Sequence, residues 1–326
     1  MMMFGAIDIG TNSVRLIVVE VDPNSGTSRS VLNRREMVRL GVGDGVRRGV
    51  LEAKAVQRGV KVIAKFVQAA RAAGVQEIRA VATCAVREAE NREEFLAAVK
   101  DACGIVIEVL SEIEEARLIH LGVSRGFPAY DRIACIIDIG GGSTEFIVGD
   151  REHPYFLGSL KLGSLRLYGD FLAAATGADA VAKAYQAMRE HIGEQLKPLA
   201  AQLAEYPFDT MIGTSGTIRA LVVLDDARAS GAHPLTRQSA QGYVLRRDRL
   251  IALQEEMQSL SPVQRRTMPG MNPRRADIIT AGNAIVIEAM TALEHQELVV
   301  CERALRDGIV VEYRERAVAI ARAADD

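Results

Sequence analysis

One segment of this 326-residue chain occurs twice. GAIDIGTNSVRLIVV at residues 5–19 superposes on CIIDIGGGSTEFIVG at 135–149, setting Asp8 on Asp138, Gly10 on Gly140 and Ser13 on Ser143. In each copy β-branched residues flank a polar, glycine-containing turn, the pattern of strand, turn and strand. A supersecondary unit reused at this separation predicts two domains of common ancestry. The length allows two, at roughly 100–200 residues each. The expected domains are 1–124, completed by a C-terminal helix at about 306–326, and 125–305. The boundary is expected near 122–131, where GVSRGFPAYD interrupts a helical pattern. Equivalent glycine turns in two such domains are expected to face each other across an interdomain cleft.

Between the repeats, strand and helix signals alternate, which predicts an α/β fold. Ser28–Asn33, IRAVAT and IVIEVL at 105–110 read as strands. Leu51–Ala73 and NREEFLAAV read as helices, the second opened by Asn91, and a further helix follows in SEIEEARLIHLGV. The second half predicts a helix over 178–205, a short strand TMIG leading into a GTSGT turn, and a long helix around 275–293.

Composition excludes several classes. The chain has 48% hydrophobic and 25% charged residues with a formal net charge of −2, an ordinary globular balance with no general basic excess for DNA. Four cysteines, Cys84, Cys103, Cys135 and Cys301, stand far apart without CxxC spacing, against disulfides or structural zinc. No apolar run reaches the ~20 residues of a membrane span, and the start lacks a signal-like region. A cytoplasmic protein is expected.

The glycines of DIGGGST let a turn approach an anion without Cβ interference, so Gly140, Gly141 and Gly142 with the hydroxyls of Ser143 and Thr144 form a candidate phosphate cradle. Asp138 before this turn is a candidate ligand for hydrated Mg²⁺ or another divalent ion. The first copy offers Asp8, Thr11, Asn12 and Ser13 at equivalent places. At one matched position the copies differ in sign, Arg15 against Glu145. Either the loops divide labour, the arginine clamping an oxyanion and the glutamate serving a metal or water, or these are two outward surface charges. Gly213, Ser215, Gly216 and Thr217 of GTSGT repeat the pattern of a small-residue turn opening a helix.

In SEIEEARLI, Ser111 and Glu114 have capping-box spacing, which accounts for Glu114. Glu115 has no such account. It reads locally as favourable charge in a first helical turn, or as a carboxylate placed to take a proton from water. From Arg237 to Arg275 the chain carries eight Arg or Lys against three Asp or Glu. That stretch reads either as solvated helix surface or as a track for a polymeric anion.

Taken in order, DIGTNSVRL, ATCAVREAEN, EVLSEIEEARLIHLGV, DIGGGSTEFIVG, GTSGTIRAL, PRRADIITAG and VVCERALRDGIV resemble the exopolyphosphatase and guanosine pentaphosphatase family across nearly the whole chain. The resemblance implies two actin-like, ribonuclease H-like ATPase domains, Mg²⁺ dependence, a homodimer, and release of terminal phosphate from polyphosphate or pppGpp. It assigns Glu115 as catalytic base, Asp138 and Glu145 as metal or water ligands, and residues 141–144 as the phosphate cradle. Asn12, Ser13, Arg15, Arg87 and Arg275 are then similar to substrate contacts. The chain departs from the pattern at Glu112, where members commonly have glycine, and at Cys301–Ala304, which bears on substrate preference. With no His-Asp dipeptide before the end at Asp326, the short two-domain form is expected. An actin-like kinase or ATPase, and a non-catalytic polyphosphate or alarmone sensor, are the rival readings.

Overall fold

The computed structural model describes residues 1–41, 49–127, 132–230 and 240–325. Residues 128–131 of the expected boundary and Arg237 of the basic stretch lie outside them. Internal contacts divide the chain into one unit of residues 1–126 with 303–326 and a second of residues 127–302.

In the first unit β1 (Met2–Ile9) and β2 (Ser13–Val21) form a hairpin, and β3 (Ser28–Met37) adds an antiparallel edge. Helix α1 (Ala53–Ala72) leads to β4 (Glu77–Ala82), which pairs parallel with β1. The turn α2 (Cys84–Arg87) and α3 (Arg92–Cys103) precede β5 (Ile107–Val109), which lies parallel to β4. Helix α4 (Glu112–Gly126) follows. The strand order is β3-β2-β1-β4-β5. Phe4, Gly5, Ala6 and Ile7 are consecutive buried residues of β1, as a central strand covered on both faces requires.

The second unit repeats this plan. β6 (Ala134–Ile139), β7 (Thr144–Gly149) and β8 (Pro154–Leu160) form its meander. The helical turn α5 (Ser164–Leu167) and α6 (Ala178–Leu203) lead to β9 (Thr210–Thr214), parallel to β6. After α7 (Gly216–Ser230) come β10 (Val244–Arg246), α8 (Arg247–Ser259), α9 (Pro262–Arg266), α10 (Ile279–Ala292) and β11 (Glu297–Val300). The order β8-β7-β6-β9-β11 matches the first sheet strand for strand, with β10 as an extra antiparallel edge. Both units are α/β in the actin-like arrangement. Even the registers agree: Asp8 lies opposite Arg15 in one hairpin and Asp138 opposite Glu145 in the other.

Helix α11 (Leu305–Asp325) returns to the first unit and packs on α4 through glycines. A Cβ on Gly308 would lie 1.8 Å from the Leu118 carbonyl oxygen, and one on Gly122 would lie 2.3 Å from that of Ala304. Tyr313 stacks on Phe4 with ring centroids 3.9 Å apart. Glu312 is shared by Arg117 of α4 and Arg79 of β4, whose partners are Glu114 and Glu108.

Several local expectations need correction. Asn91 makes no side-chain cap to α3; its amide instead bridges the backbone N–H and C=O of Leu51 (2.9 and 3.1 Å), tying the start of α1 to α3. Ser111 Oγ accepts from the Glu114 N–H at 3.1 Å, but the Glu114 carboxylate turns to Arg117 in a two-point contact and the capping box is only half made. An arginine one turn ahead offers two charged donors where the Ser111 backbone offers one neutral N–H. Gly213 lies in β9 and Gly216 opens α7, as the TMIG strand and helix-opening turn implied, but the turn between them contracts to Ser215.

The glycine contact between α4 and α11 gives a direct test. Gly308→Ala is expected to destabilise the protein by about 3 kcal/mol, because the helices must separate to admit the methyl group. Urea unfolding measures it, with Gly74→Ala, where a Cβ meets nothing within 4 Å but φ is +80°, as a comparison for backbone strain alone.

Candidate active site

In the first unit the loop between β1 and β2 is closed by a hydrogen bond from the Gly10 N–H to the Ser13 carbonyl (3.1 Å). The segment after β3 clamps it: Val38 and Arg39 N–H groups both donate to the Asn12 carbonyl, and Gly41 N–H donates to that of Thr11. Thr11, Asn12 and Ser13 are buried, and Asn12 Oδ1 has no hydrogen-bond partner among the described residues. Burial pushes the Asp8 carboxyl above its usual range, opposed by Arg15 across the hairpin and by Arg306.

The end of β4 brings the next group in. Thr83 N–H donates to the Ile9 carbonyl (3.2 Å), placing α2 beside the β1 end. Arg87, the last residue of α2, gives Nη1 to the Leu110 carbonyl (3.1 Å) and to Glu115 Oε2 (2.8 Å). Its Nη2 lies 3.9 Å from Glu112 Oε1, and neither Nη2 nor Nε has a hydrogen-bond partner among the described residues. Burial opposes the Arg87 charge, but Glu115 outweighs it and the guanidinium is held more firmly protonated than usual. Glu115, 6% exposed, thus stands in the first turn of α4 with its carboxylate held by an arginine that keeps two donors in reserve.

The second unit carries the glycine loop. Gly140 N–H donates to the Ser143 carbonyl (2.9 Å), the same closure as in the first copy. The loop carbonyls are taken by α5: Ser164 N–H donates to Gly140, while the N–H groups of Leu165 and Arg166 donate to Gly141, and Arg166 Nε donates to Gly142. With its carbonyls turned that way, the N–H groups of Gly141, Gly142 and Ser143 have no acceptor among the described residues. Three successive N–H groups, the last two on buried residues, are thus available to an acceptor such as an anion. None of the three glycines has a left-handed φ. Gly140 is explained by space, since a Cβ there would sit 3.0 Å from the Ser143 carbonyl. Gly163 lets α5 approach, as its Cβ would lie 2.3 Å from the Gly141 oxygen.

Asp138 and Glu145 occupy directly opposed positions of β6 and β7. Glu145 is 1% exposed and accepts a hydrogen bond from Ser159 Oγ (3.0 Å). Opposed carboxylates on one face repel, a cost that a shared cation removes. Hard oxygen donors of this kind fit Mg²⁺, which needs only one or two protein carboxylates when substrate phosphates complete its shell. Among the described residues no cluster of three or more His, Cys, Asp or Glu side chains forms a metal cage.

Other expected residues find structural uses. Thr144 Oγ1 donates to the Leu162 carbonyl, whereas the Ser143 hydroxyl has no partner among the described residues. A Cβ on Gly213 would strike Leu298 Cδ2 at 2.2 Å, so packing of β9 on β11 demands this glycine. Ser215 sits at φ +114° and its Oγ caps α7 by accepting from Thr217 and Ile218 N–H groups (3.1 and 3.2 Å). Gly216 and Thr217 are buried in that first turn, and Gly282 of α10 packs on Thr217. Arg275 is buried before α10, its carbonyl accepting from Ile278 and Ile279. Within the basic stretch Arg246 pairs with Asp248 and Glu297, Arg249 with Asp225, and Arg265 donates to the carbonyls of Met257, Leu260 and Ala276. Sequence reasoning missed the α5 contacts and Arg306, and noted Glu112 only as a departure from the family pattern. The RLYGD region after Gly163 has no counterpart in the repeat alignment, and Arg306 was visible only as part of the ERALRDG block.

Residues 17–317 match the profile of the Ppx/GppA phosphatase family. The chain belongs to that family. Exopolyphosphatase 1 of Mycobacterium leprae is 31% identical over 312 residues, covering 95% of this chain and 89% of that protein. A guanosine-5'-triphosphate,3'-diphosphate pyrophosphatase of Vibrio parahaemolyticus is 28% identical over 95% of this chain, which spans only 59% of the length of that relative. The crystal structure of an exopolyphosphatase from Cytophaga hutchinsonii aligns with a TM-score of 0.85 at 25% identity, over 96% of this chain and 98% of that one. An Aquifex aeolicus Ppx/GppA family member aligns with a TM-score of 0.75 at 26% identity, over 97% and 98% of the two chains. Among the described residues of this Ppx/GppA family member, no helix is long and apolar enough to cross a membrane.

Ser215 supplies a test of the local geometry. A positive φ on a non-glycine costs about 1–3 kcal/mol. Ser215→Gly removes that strain and loses only a few tenths of a kcal/mol of capping, whereas Ser215→Ala keeps the strain and loses about 1 kcal/mol of cap. The glycine variant is therefore expected to match or exceed the wild type in urea unfolding, and the alanine variant to fall below both.

Proposed function

We propose that this chain is a phosphoanhydride hydrolase that releases the terminal phosphate of inorganic polyphosphate or guanosine pentaphosphate to water. The observation that carries the reading is the row of acceptor-free N–H groups at Gly141–Ser143, in a chain of a phosphatase family. A terminal phosphoryl group offers the charged oxygens that those donors lack. Asp138 and Glu145 would hold Mg²⁺, which supplies charge neutralisation at the phosphoryl oxygens when bound.

In this reading Glu115 is the general base. Its carboxylate accepts a proton from water as the water oxygen attacks the terminal phosphorus and the anhydride P–O bond breaks; shortened polyphosphate or guanosine tetraphosphate leaves. Arg87 orients that carboxylate through Nη1, and its unused Nη2 and Nε donors offer positive charge to the same substrate. Arg15 and the Ser143 hydroxyl add a cation and a donor. Most of the acceleration is electrostatic, as phosphoryl transfer requires little covalent help from a protein.

The test is a side-by-side turnover assay on polyphosphate and pppGpp with no other nucleotide present, which also separates hydrolysis from a kinase or ATPase activity. Glu115→Gln is expected to retain substrate binding and to lower kcat by about 10²–10⁴. Glu114→Gln, one residue earlier, is expected to leave kcat nearly unchanged and to cost about 0.5–1 kcal/mol through its part-exposed contact with Arg117. Wild-type turnover by a folded Glu115→Gln protein would refute the assignment. A large loss at Glu114 alone would exchange the two roles.

A further inference from the structure

Helix α1 carries five cations, Lys54, Arg58, Lys61, Lys65 and Arg71, and no Asp or Glu between Ala53 and Ala72. This lies within a chain whose acids outnumber its bases, 42 to 40. The first four recur at spacings of four, three and four residues, which on an α-helix confines them to an arc of about 60°. That arc is opposite the buried face of Ala55, Gly59, Ile63, Phe66, Val67 and Ala70, so the stripe points to solvent. An open groove of about 460 Å³ continues it, lined by Lys61, Lys65, Gln68 and Arg71 of α1 and by Ala102 and Cys103 at the end of α3.

The arrangement works against the helix that carries it. Like charges three and four residues apart repel, and Lys54 lies in the first turn at the positive end of the helix dipole, where the N-cap Glu52 is the one acid beside it. Internal compensation is slight. Lys54 and Lys61 have no ion-pair partner among the described residues, and Lys65 has Glu36. Arg34, exposed two residues before Glu36 and so on the same face of β3, adds a further cation beside it. Among the described residues Arg58 donates to the carbonyls of Val38 and Arg39 and Arg71 to that of Cys103, and neither has an acidic partner.

We propose that this stripe is an auxiliary track for a linear inorganic polyphosphate chain, holding the polymer away from the reacting end. The identity of the polyanion rests on the hydrolase reading above. From Lys54 to Lys65 the row runs about 17 Å along the helix. A polymer with a charge at every phosphorus engages all four cations and the groove together, relieves their repulsion and releases counterions, whereas a short substrate gains little. The stripe favours a bare phosphate chain over a nucleic acid, because its exposed face has no aromatic side chain on which a base could stack, and Phe66, the only ring in the helix, is buried.

The test compares Lys54→Gln/Lys61→Gln/Lys65→Gln with the charge-retaining Lys→Arg triple variant. Direct titration with polyphosphate several hundred units long is run from low to moderate salt, alongside hydrolysis of tripolyphosphate and pppGpp. The Gln variant is expected to bind the polymer about tenfold more weakly, with a log–log salt slope shallower by about 2. The Arg variant should match wild type, and short-substrate hydrolysis should stay within about twofold in both. Unchanged polymer affinity and slope in the Gln variant would overturn the proposal, as would equal losses on short and long substrates. Loss of binding to a single-stranded RNA oligomer with polyphosphate unaffected would also overturn it. If the wild type hydrolyses neither substrate while polymer binding still depends on the three lysines, the track stands and the hydrolase reading falls.

Discussion

The hydrogen bond from the first glycine of each hairpin loop to the serine carbonyl three residues on, Gly10 to Ser13 and Gly140 to Ser143, is the constraint from which both loops take their form. It fixes the register of the strands on either side, and side chains in a strand alternate faces, so register decides which residues look outward from the loop. A slip by one residue would turn Asp138 and Glu145 to the other face of the sheet. The closure also uses up the first N–H of the glycine loop. In the second unit the carbonyls of that loop are drawn off by α5, and the donors are left for a ligand.

One scaffold used twice therefore supports different electrostatics. In the first hairpin the opposed pair is Asp8 and Arg15, so the charges compensate each other, and a neighbouring Arg306 adds to the cation. In the second it is Asp138 and Glu145, two carboxylates. The backbone is common to both copies; a single position, arginine in one and glutamate in the other, gives the two hairpins opposed pairs of different charge. Such a difference adds chemistry without altering the fold, as expected when function resides in sites placed on shared architecture.

The repeat made much of this legible in advance. Two α/β units, the strand, turn and strand of each hairpin, and the opposition of residues 15 and 145 follow from periodicity and self-alignment alone. What was not legible involves partners distant in sequence. Asn91 looks like a helix cap until Leu51 is found beside it, and Glu114 looks like half of a capping box until Arg117, which it shares with Glu312, claims it. Gly213 reads as a turn glycine, but its reason is Leu298 on the neighbouring strand. In the basic stretch 237–275 the sequence counts charges without their partners; Arg249 is paired with the buried Asp225 and Arg246 with Asp248 and Glu297. The stripe on α1 was open to inspection in the sequence and overlooked, since a shorter run with fewer arginines draws less notice than a long one.

The three carboxylates that open α4 show how one helical turn is divided by what faces each residue. Glu114 points to the side where Arg117 follows one turn on and α11 brings Glu312, and it is absorbed into the packing of the first unit. Glu112 is half exposed and lies at 3.9 Å from Arg87, too far for a hydrogen bond but near enough to act on its charge. Glu115 alone is both buried and bonded to a guanidinium that has unsatisfied donors. An arginine in that condition can accept an anion without giving up the carboxylate it orients, so binding of a phosphate and retention of a positioned base need not compete. The helix dipole favours all three acids; only Glu115 combines that position with burial and a hydrogen bond from Arg87.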